Sequence, residues 1–283
     1  MKKTKQLLCF VLSVAMITAI LGGCTAAQEA EATTVRTTTT TTTQTTVTTT
    51  ENKKTTFAES STRKVYDGLK KDSSGNYPYK LAEYSTYYND KNETRSYNME
   101  KAASKINNLC IPDGSVFSFN QTLGKRTVTS GYKEAHVISN GELVDGLGGG
   151  ICQISSTVFE AVLRANLQIV ARTNHSLKIA YVPLGGDATV DWNSKDFQFR
   201  NNTGSKILLK MKCKKGKVTC KVYAKKNVKV GDVDIKIKQD GDYYVLTRKV
   251  NGKVNYTTRS FYKEAKTTTA PKADKKETLT SEF

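Results

Sequence analysis

Gly148-Gly149-Gly150-Ile151-Cys152-Gln153-Ile154 is the stretch on which the reading of this chain turns. Three consecutive glycines let the backbone reach positive φ and pass close to another group. Apolar residues follow at Ile154, Val158, Ala161, Val162 and Ala165, a helical spacing that predicts a helix over 153–167. Cys152 therefore stands where a glycine loop enters a helix. A thiol in that first turn sits in the positive field of free N–H groups, which favours thiolate over thiol. The chain has only two histidines, His136 and His175, so the search for a general base is short.

Working outward, the N-terminus reads as an export signal. Lys2, Lys3 and Lys5 precede the apolar run Leu7 to Leu21, and Leu21-Gly22-Gly23-Cys24 follows. The run is shorter than the roughly 20 apolar residues a membrane-spanning helix needs. The pattern resembles a bacterial lipoprotein signal, which implies removal of residues 1–23 and a lipid on Cys24 that anchors the protein to the outer face of the membrane. Residues 33–56 contain 16 threonines. Such a segment buries too little apolar surface to offset its ordering entropy, so 24–63 is expected to be a disordered stalk. A second Thr/Lys-rich tail is expected over 265–283. The folded part divides into a domain at 64–225 and a basic β appendage at 226–264.

Charge separates these parts. Leu81 to Arg200 holds 12 Lys/Arg and 12 Asp/Glu, whereas Ser205 to Lys263 holds 17 Lys/Arg and 4 Asp/Glu, a net of 17 − 4 = +13. On an exported protein nucleic acid is excluded as the target. Anionic wall polymers fit a salt-sensitive positive field, and lysines that merely solvate exposed strands are the alternative.

The remaining pattern is mixed. Met99 to Leu109 reads as a helix closed by Pro112. Strands are expected at Val116–Phe119, His136–Ile138, Ile169–Arg172, Leu177–Val182, Ala188–Val190, Phe197–Arg200 and Ile207–Cys213. A tight turn at Lys215-Gly216 or Gly216-Lys217 leads into Val218–Ala224. Alternation continues at Val233–Ile237 and Tyr243–Lys249, with Asn251-Gly252 turning into Lys253–Thr258. The fold class is α+β: a mixed or antiparallel sheet domain with a helix carrying Cys152 at its N-terminus, then the small basic β appendage.

Several strings in order identify a family resemblance. They are Ala103-Ser104-Lys105-Ile106-Asn107, Phe117-Ser118-Phe119-Asn120, Gly131-Tyr132-Lys133-Glu134-Ala135 and the glycine–cysteine run through Thr157. His175-Ser176-Leu177, Tyr181-Val182-Pro183, Asp187-Ala188-Thr189-Val190 and Phe199-Arg200-Asn201-Asn202-Thr203 complete the set. From Leu81 to about Tyr223 the chain resembles the VanW domain, named for an accessory protein of glycopeptide-resistance clusters. The resemblance implies a cell-envelope protein of a Gram-positive type. It further implies L,D-transpeptidase activity, cross-linking peptidoglycan stem peptides through a cysteine nucleophile. The Ser-His-Gly-Cys signature of the YkuD domain, which carries that activity elsewhere, is absent.

The chemistry assigns roles residue by residue. Cys152 attacks a peptide carbonyl, His175 is its base, and Asp187 orients the imidazole, with Asp191 behind it. Backbone N–H groups at Ile151 and Cys152, with Gln153, are the oxyanion donors. Gly149, Gly150, Gln153, Ser155 and His136 are the expected substrate contacts. Each has a structural alternative: a small buried cysteine, a core histidine, a turn aspartate, or glycines that only permit close packing. No cofactor and no metal framework are expected, because the cysteines are scattered and neither histidine has a zinc-type partner. Cys213 and Cys220 face each other if Gly216-Lys217 is the turn and are diagonal neighbours if it is Lys215-Gly216. Two functions stay open: a lipid-anchored cysteine transpeptidase, or a non-catalytic module that binds peptidoglycan or assists glycopeptide resistance.

Overall fold

The computed structural model describes residues 69–139 and 142–264. The expected signal, Cys24, the threonine stalk and the 265–283 tail lie outside the described residues. Thirteen strands and three helices follow in chain order. They begin with β1 (Lys70–Lys71), β2 (Tyr79–Tyr87), α1 (Glu93–Ile106), β3 (Leu109–Ile111), β4 (Val116–Ser118) and α2 (Phe119–Leu123). Next come β5 (Glu134–Ser139), β6 (Glu142–Leu147), α3 (Ile151–Arg164), β7 (Gln168–Ala171) and β8 (Gln198–Arg200). The last five are β9 (Ile207–Lys214), β10 (Lys217–Ala224), β11 (Val233–Asp240), β12 (Tyr243–Val250) and β13 (Lys253–Phe261).

The named strands pair antiparallel throughout, in sheets ordered β1-β3-β9-β10-β2, β11-β12-β13, β4-β8-β7 and β5-β6. With three helices, this is a mixed α+β fold. Its centre is α3, in which every residue except Cys152 and Arg164 is buried. The helix packs on β2 and β10 of the five-stranded sheet. Val218, Cys220, Val222 and Ala224 alternate inward on β10, while Lys217, Thr219, Lys221 and Tyr223 face outward. Helix α1 supplies Met99, Ala102, Ala103 and Ile106 to the same core, one stripe of its surface. Phe117 stacks on Phe199 at 5.0 Å between ring centroids, and Phe159 meets Phe197 edge-on at 5.6 Å, closing the core beneath the β4-β8-β7 sheet.

Side chains outside the sheets hold α3 in place. Gln153 Nε2 donates to Tyr87 O at 2.9 Å and to Thr86 Oγ1 at 3.0 Å, tying the first turn to β2. At the other end Arg248 of β12 donates to the terminal carbonyls of Leu163 and Leu167 at 3.2 and 2.9 Å. A buried cation there complements the helix dipole.

Two expected strands do not form. Residues 172–190 are irregular, apart from a single bridge of Leu177 to Lys263. Their backbone groups bond to side chains instead. Arg172 Nε donates to Asp187 O at 2.6 Å, Gly185 N–H donates to Tyr262 Oη at 2.7 Å, and Ala188 N–H donates to Ser156 Oγ at 3.0 Å. With those partners supplied the segment needs no ladder. The β9–β10 turn is Lys215-Gly216, because Lys214 pairs with Lys217. Cys213 thus opposes Val218 and Cys220 opposes Met211, and both cysteines are free thiols.

Candidate active site

The glycine loop shapes the approach to the thiol. Gly150 has φ +95°, and a Cβ there would lie 2.6 Å from Met99 Cγ. A Cβ on Gly149 would lie 2.7 Å from both Ala135 Cβ and His136 O. The loop is therefore pressed between α1 and the β5–β6 hairpin, which fixes where α3 begins. Cys152 is the second residue of that helix and is half-buried. Its Sγ lies 3.5 Å from Thr189 Oγ1 and 3.6 Å from Val190 O. Ile151 N–H and Gln153 N–H are occupied by the carbonyls of Gly148 and Gly150 at 3.2 and 3.0 Å. Among the described residues, Cys152 N–H has no acceptor, which leaves it as the backbone donor beside the sulfur.

The irregular 172–190 segment brings His175 and Asp187 to this point. Asp187 Oδ2 lies 2.6 Å from His175 Nδ1 and also accepts the His175 backbone N–H at 2.7 Å. Asp187 Oδ1 accepts from Arg172 at 3.0 Å and from the Tyr262 hydroxyl at 2.5 Å. Burial opposes ionisation of Asp187, but these donors outweigh it and hold the carboxyl below its usual range. With Nδ1 on Asp187, the second ring nitrogen, Nε2, meets Tyr181 Oη at 3.2 Å.

The electrostatics of the pair are reciprocal. Burial alone would raise the Cys152 thiol, yet the influence of nearby His175, with Val190 O and Thr189 Oγ1 at the sulfur, brings it down to about 7. Burial alone would lower His175, yet Asp187 and Cys152 raise it to about 9. Thiolate and imidazolium therefore coexist in the interval between those values. Cys220, buried with no such partner, is pushed well up, and Cys213 is also raised by burial.

A cleft of about 350 Å³ is lined among others by Tyr88, Arg95, Gln153 and Tyr181; it adjoins the set through Tyr181 and Gln153, and Cys152, His175 and Asp187 do not line it. A larger groove of about 880 Å³ lies on the outer face of the five-stranded sheet and includes none of the residues around the thiol.

The other residues singled out from sequence fall elsewhere. Gln153 spends both ends of its amide on protein: Nε2 on β2 as described, and Oε1 on Arg95 at 2.7 Å. Ser155 is fully buried and donates to Ala188 O, fastening the Asp187 segment to α3. Gly149 and Gly150 meet packed protein. His136 is exposed on its hairpin, its Nδ1 2.7 Å from Asp145 Oδ1, outside the hydrogen-bonded set around Cys152. Asp191 caps its own turn at Asn193 and Ser194. Sequence reasoning missed Arg172, Tyr181 and Tyr262 as partners. Tyr181 lay inside the quoted resemblance, but only the fold showed what it and Tyr262 touch. Among the described residues no three His, Cys, Asp or Glu side chains converge as metal ligands would.

Comparison with known proteins gives the same domain. Residues 94–223 match the family model described as VanW like protein. The chain is 46% identical over 144 residues to the uncharacterized protein YoaR of Bacillus subtilis (strain 168), covering 51% of this chain and 48% of that one. It is 33% identical over 116 residues to the vancomycin B-type resistance protein VanW of Enterococcus faecalis (strain ATCC 700802 / V583), covering 39% of this chain and 42% of that one. The chain thus spans about half the length of these curated relatives. No solved structure matches.

Proposed function

Since residues 94–223 form a VanW domain, we propose that this chain is a cell-envelope acyltransferase acting on peptidoglycan stem peptides, with Cys152 as nucleophile. The observation that carries the reading is the Asp187–His175 contact of 2.6 Å behind a thiol lowered to about 7. Cys152 thiolate attacks an amide carbonyl of the donor peptide, forming a C–S bond. His175 imidazolium gives its proton to the departing amine as the C–N bond breaks, leaving a thioester. An acceptor amine then attacks the thioester, returns a proton to His175 and releases the thiolate, so the net product is a new amide. With water as acceptor the outcome is hydrolysis. Cys152 N–H is the donor for the developing oxyanion. Asp187 fixes the imidazole tautomer and stabilises its charge, with Arg172 and Tyr262 fixing Asp187. In the specific form of this reading the reaction is an L,D-transpeptidation, and a lipid on Cys24 holds the protein at the outer face of the membrane.

The test is incubation of purified protein with disaccharide-tetrapeptide fragments. D-Alanine release and cross-linked dimers are expected, and Cys152→Ala should abolish both. Product formation by that variant, or its absence from the native protein, overturns the enzyme reading. One observation favours the second reading, a non-catalytic envelope module. The 880 Å³ groove is lined by lysines, a surface for an anionic wall polymer that requires no thiol chemistry. The association of VanW with vancomycin resistance comes to this chain through either reading.

A further inference from the structure

Arg95 is the one charged residue among those lining the cleft beside Tyr181. It lies in the first turn of α1, half-buried, and both its close partners are neutral. One terminal nitrogen lies 3.0 Å from Met99 Sδ, and the other donates to Gln153 Oε1 at 2.7 Å. Among the described residues no carboxylate lies within ion-pair reach of it. A guanidinium drawn out of water without a counter-charge loses solvation that neutral acceptors only partly replace. Its stem also packs against the glycine loop, since a Cβ on Gly150 would lie 3.0 Å from Arg95 Cγ. The position is thus held immediately before Ile151 and Cys152, and Gln153 holds the guanidinium from the helix itself. Burial lowers the Arg95 pKa, the direction expected for a guanidinium short of a counter-charge. A planar fork of donors in a cleft, short of one anion, matches a carboxylate.

We propose that Arg95 binds a carboxylate of the acyl donor, so that the substrate of this site is a peptide carrying a free carboxylate close to the bond that Cys152 attacks. The proposal rests on Cys152 as the reactive thiol, and it adds the charge of the substrate to that reading. It also gives Gln153 a positioning role, because its Oε1 aims the guanidinium while its Nε2 is anchored to β2.

Two alkylating reagents of nearly equal size test this without any peptidoglycan substrate. The purified protein is treated at pH 7 with iodoacetate, which is anionic, and with iodoacetamide, which is neutral. The modification rate is read at the Cys152 peptide by mass spectrometry. Arg95→Gln should lower the iodoacetate-to-iodoacetamide rate ratio about tenfold, the scale of one lost charge-assisted hydrogen bond. Arg95→Lys, which keeps the charge but not the fork, should retain most of the ratio, and thermal melts of both variants register any folding defect. Because the ratio cancels changes in thiol pKa, it reports the attraction of the site for an anion, and the protection experiment that follows separates binding from field. N-Acetyl-D-alanine should protect Cys152 in the native protein, and its C-terminal amide should not. If the ratio is unchanged in Arg95→Gln while iodoacetamide still labels Cys152, or if acid and amide protect equally, the carboxylate subsite is overturned and the cysteine reading stands. If neither reagent labels Cys152, the nucleophile reading falls and takes this proposal with it.

Discussion

Tyr262 donates its hydroxyl to Oδ1 of Asp187 across 2.5 Å, and the same Tyr262 oxygen accepts the N–H of Gly185 at 2.7 Å. Tyr262 follows β13 directly, so the end of the C-terminal sheet reaches the carboxylate that faces His175. Arg172 joins the same network, donating to Asp187 O and to Ser260 Oγ at 2.6 and 2.8 Å. The segment expected to be a separate basic appendage therefore contributes directly to the acid of the site.

Tyr262→Phe should test how much that contribution matters. The ring still packs on Tyr244 at 5.7 Å between centroids, but Gly185 N–H loses its partner and Asp187 keeps Arg172 and His175 alone. A buried donor left unpaired costs about 1–3 kcal/mol. Thermal melting should show a loss of that size, and amide exchange at Gly185 should speed up. An unchanged melt would mean water replaces the hydroxyl at no cost.

The thiol should titrate as half of a pair. Its folded pKa of about 7 is depressed, so thiolate is lost as pH falls through that value. His175 is raised to about 9, so the imidazolium is lost as pH rises through it. Alkylation of Cys152 should rise with a midpoint near 7, and acyl transfer should be bell-shaped between about 7 and about 9. His175→Ala should move the alkylation midpoint up toward the ordinary thiol value of about 8.5. A midpoint that stays near 7 in this variant would show that His175 does not set it.

Gly149→Ala should fail by crowding. The added methyl would meet Ala135 Cβ and the His136 carbonyl at 2.7 Å, and backbone cannot rotate away as a side chain can. Overpacking of this kind costs about 1–3 kcal/mol. The expected result is a lower melting temperature with displacement of the β5–β6 hairpin, seen as faster exchange at Ala135 and His136. Full stability would show that the loop has more room than this packing allows.

Much of this arrangement was legible before the fold, for physical reasons that differ by residue. Cys152 and His175 stood out because thiols beside glycine runs and histidines were scarce. Asp187 could be named as the first acid downstream of His175. Helix α3 was legible because its apolar residues recur at helical spacing, whereas the start of α1 was not. That start depends on Asn92 Oδ1 accepting Arg95 N–H at 3.0 Å and on an exposed polar first turn with no periodic signal. Strand β2 also escaped, since Tyr79–Tyr87 alternates weakly. The runs 177–182 and 188–190 alternate well enough to read as strands. Between and at the start of the second run, the backbone groups of Gly185, Asp187 and Ala188 bond to the side chains of Tyr262, Arg172 and Ser156 instead of to a neighbouring strand. Arg95 had no signal in one dimension, because its meaning lies in the cleft it shares with Tyr181.

The lysine groove should bind polyanions, and at some cost to stability. Lys210, Lys212 and Lys214 on β9 and Lys217 and Lys221 on β10 share the outer face of the five-stranded sheet. Lys214 lies opposite Lys217, and Lys210 opposite Lys221. Like charges so placed are unfavourable by roughly 0.2–1 kcal/mol per pair. Glu83 offsets part of this, 3.5 Å from Lys221 and 3.3 Å from Lys80. Replacing Lys210, Lys212, Lys214 and Lys217 with Gln should leave the melting temperature equal or higher. The same change should abolish retention on an immobilised phosphodiester polymer such as lipoteichoic acid. Native binding should weaken steeply as ionic strength passes about 0.15 M, where the screening length is about 8 Å. A parallel variant with Lys236, Lys238 and Lys253 changed to Gln locates the effect. If that one loses binding and the groove variant keeps it, the C-terminal sheet is the polymer-binding surface and the groove is only a solvated face.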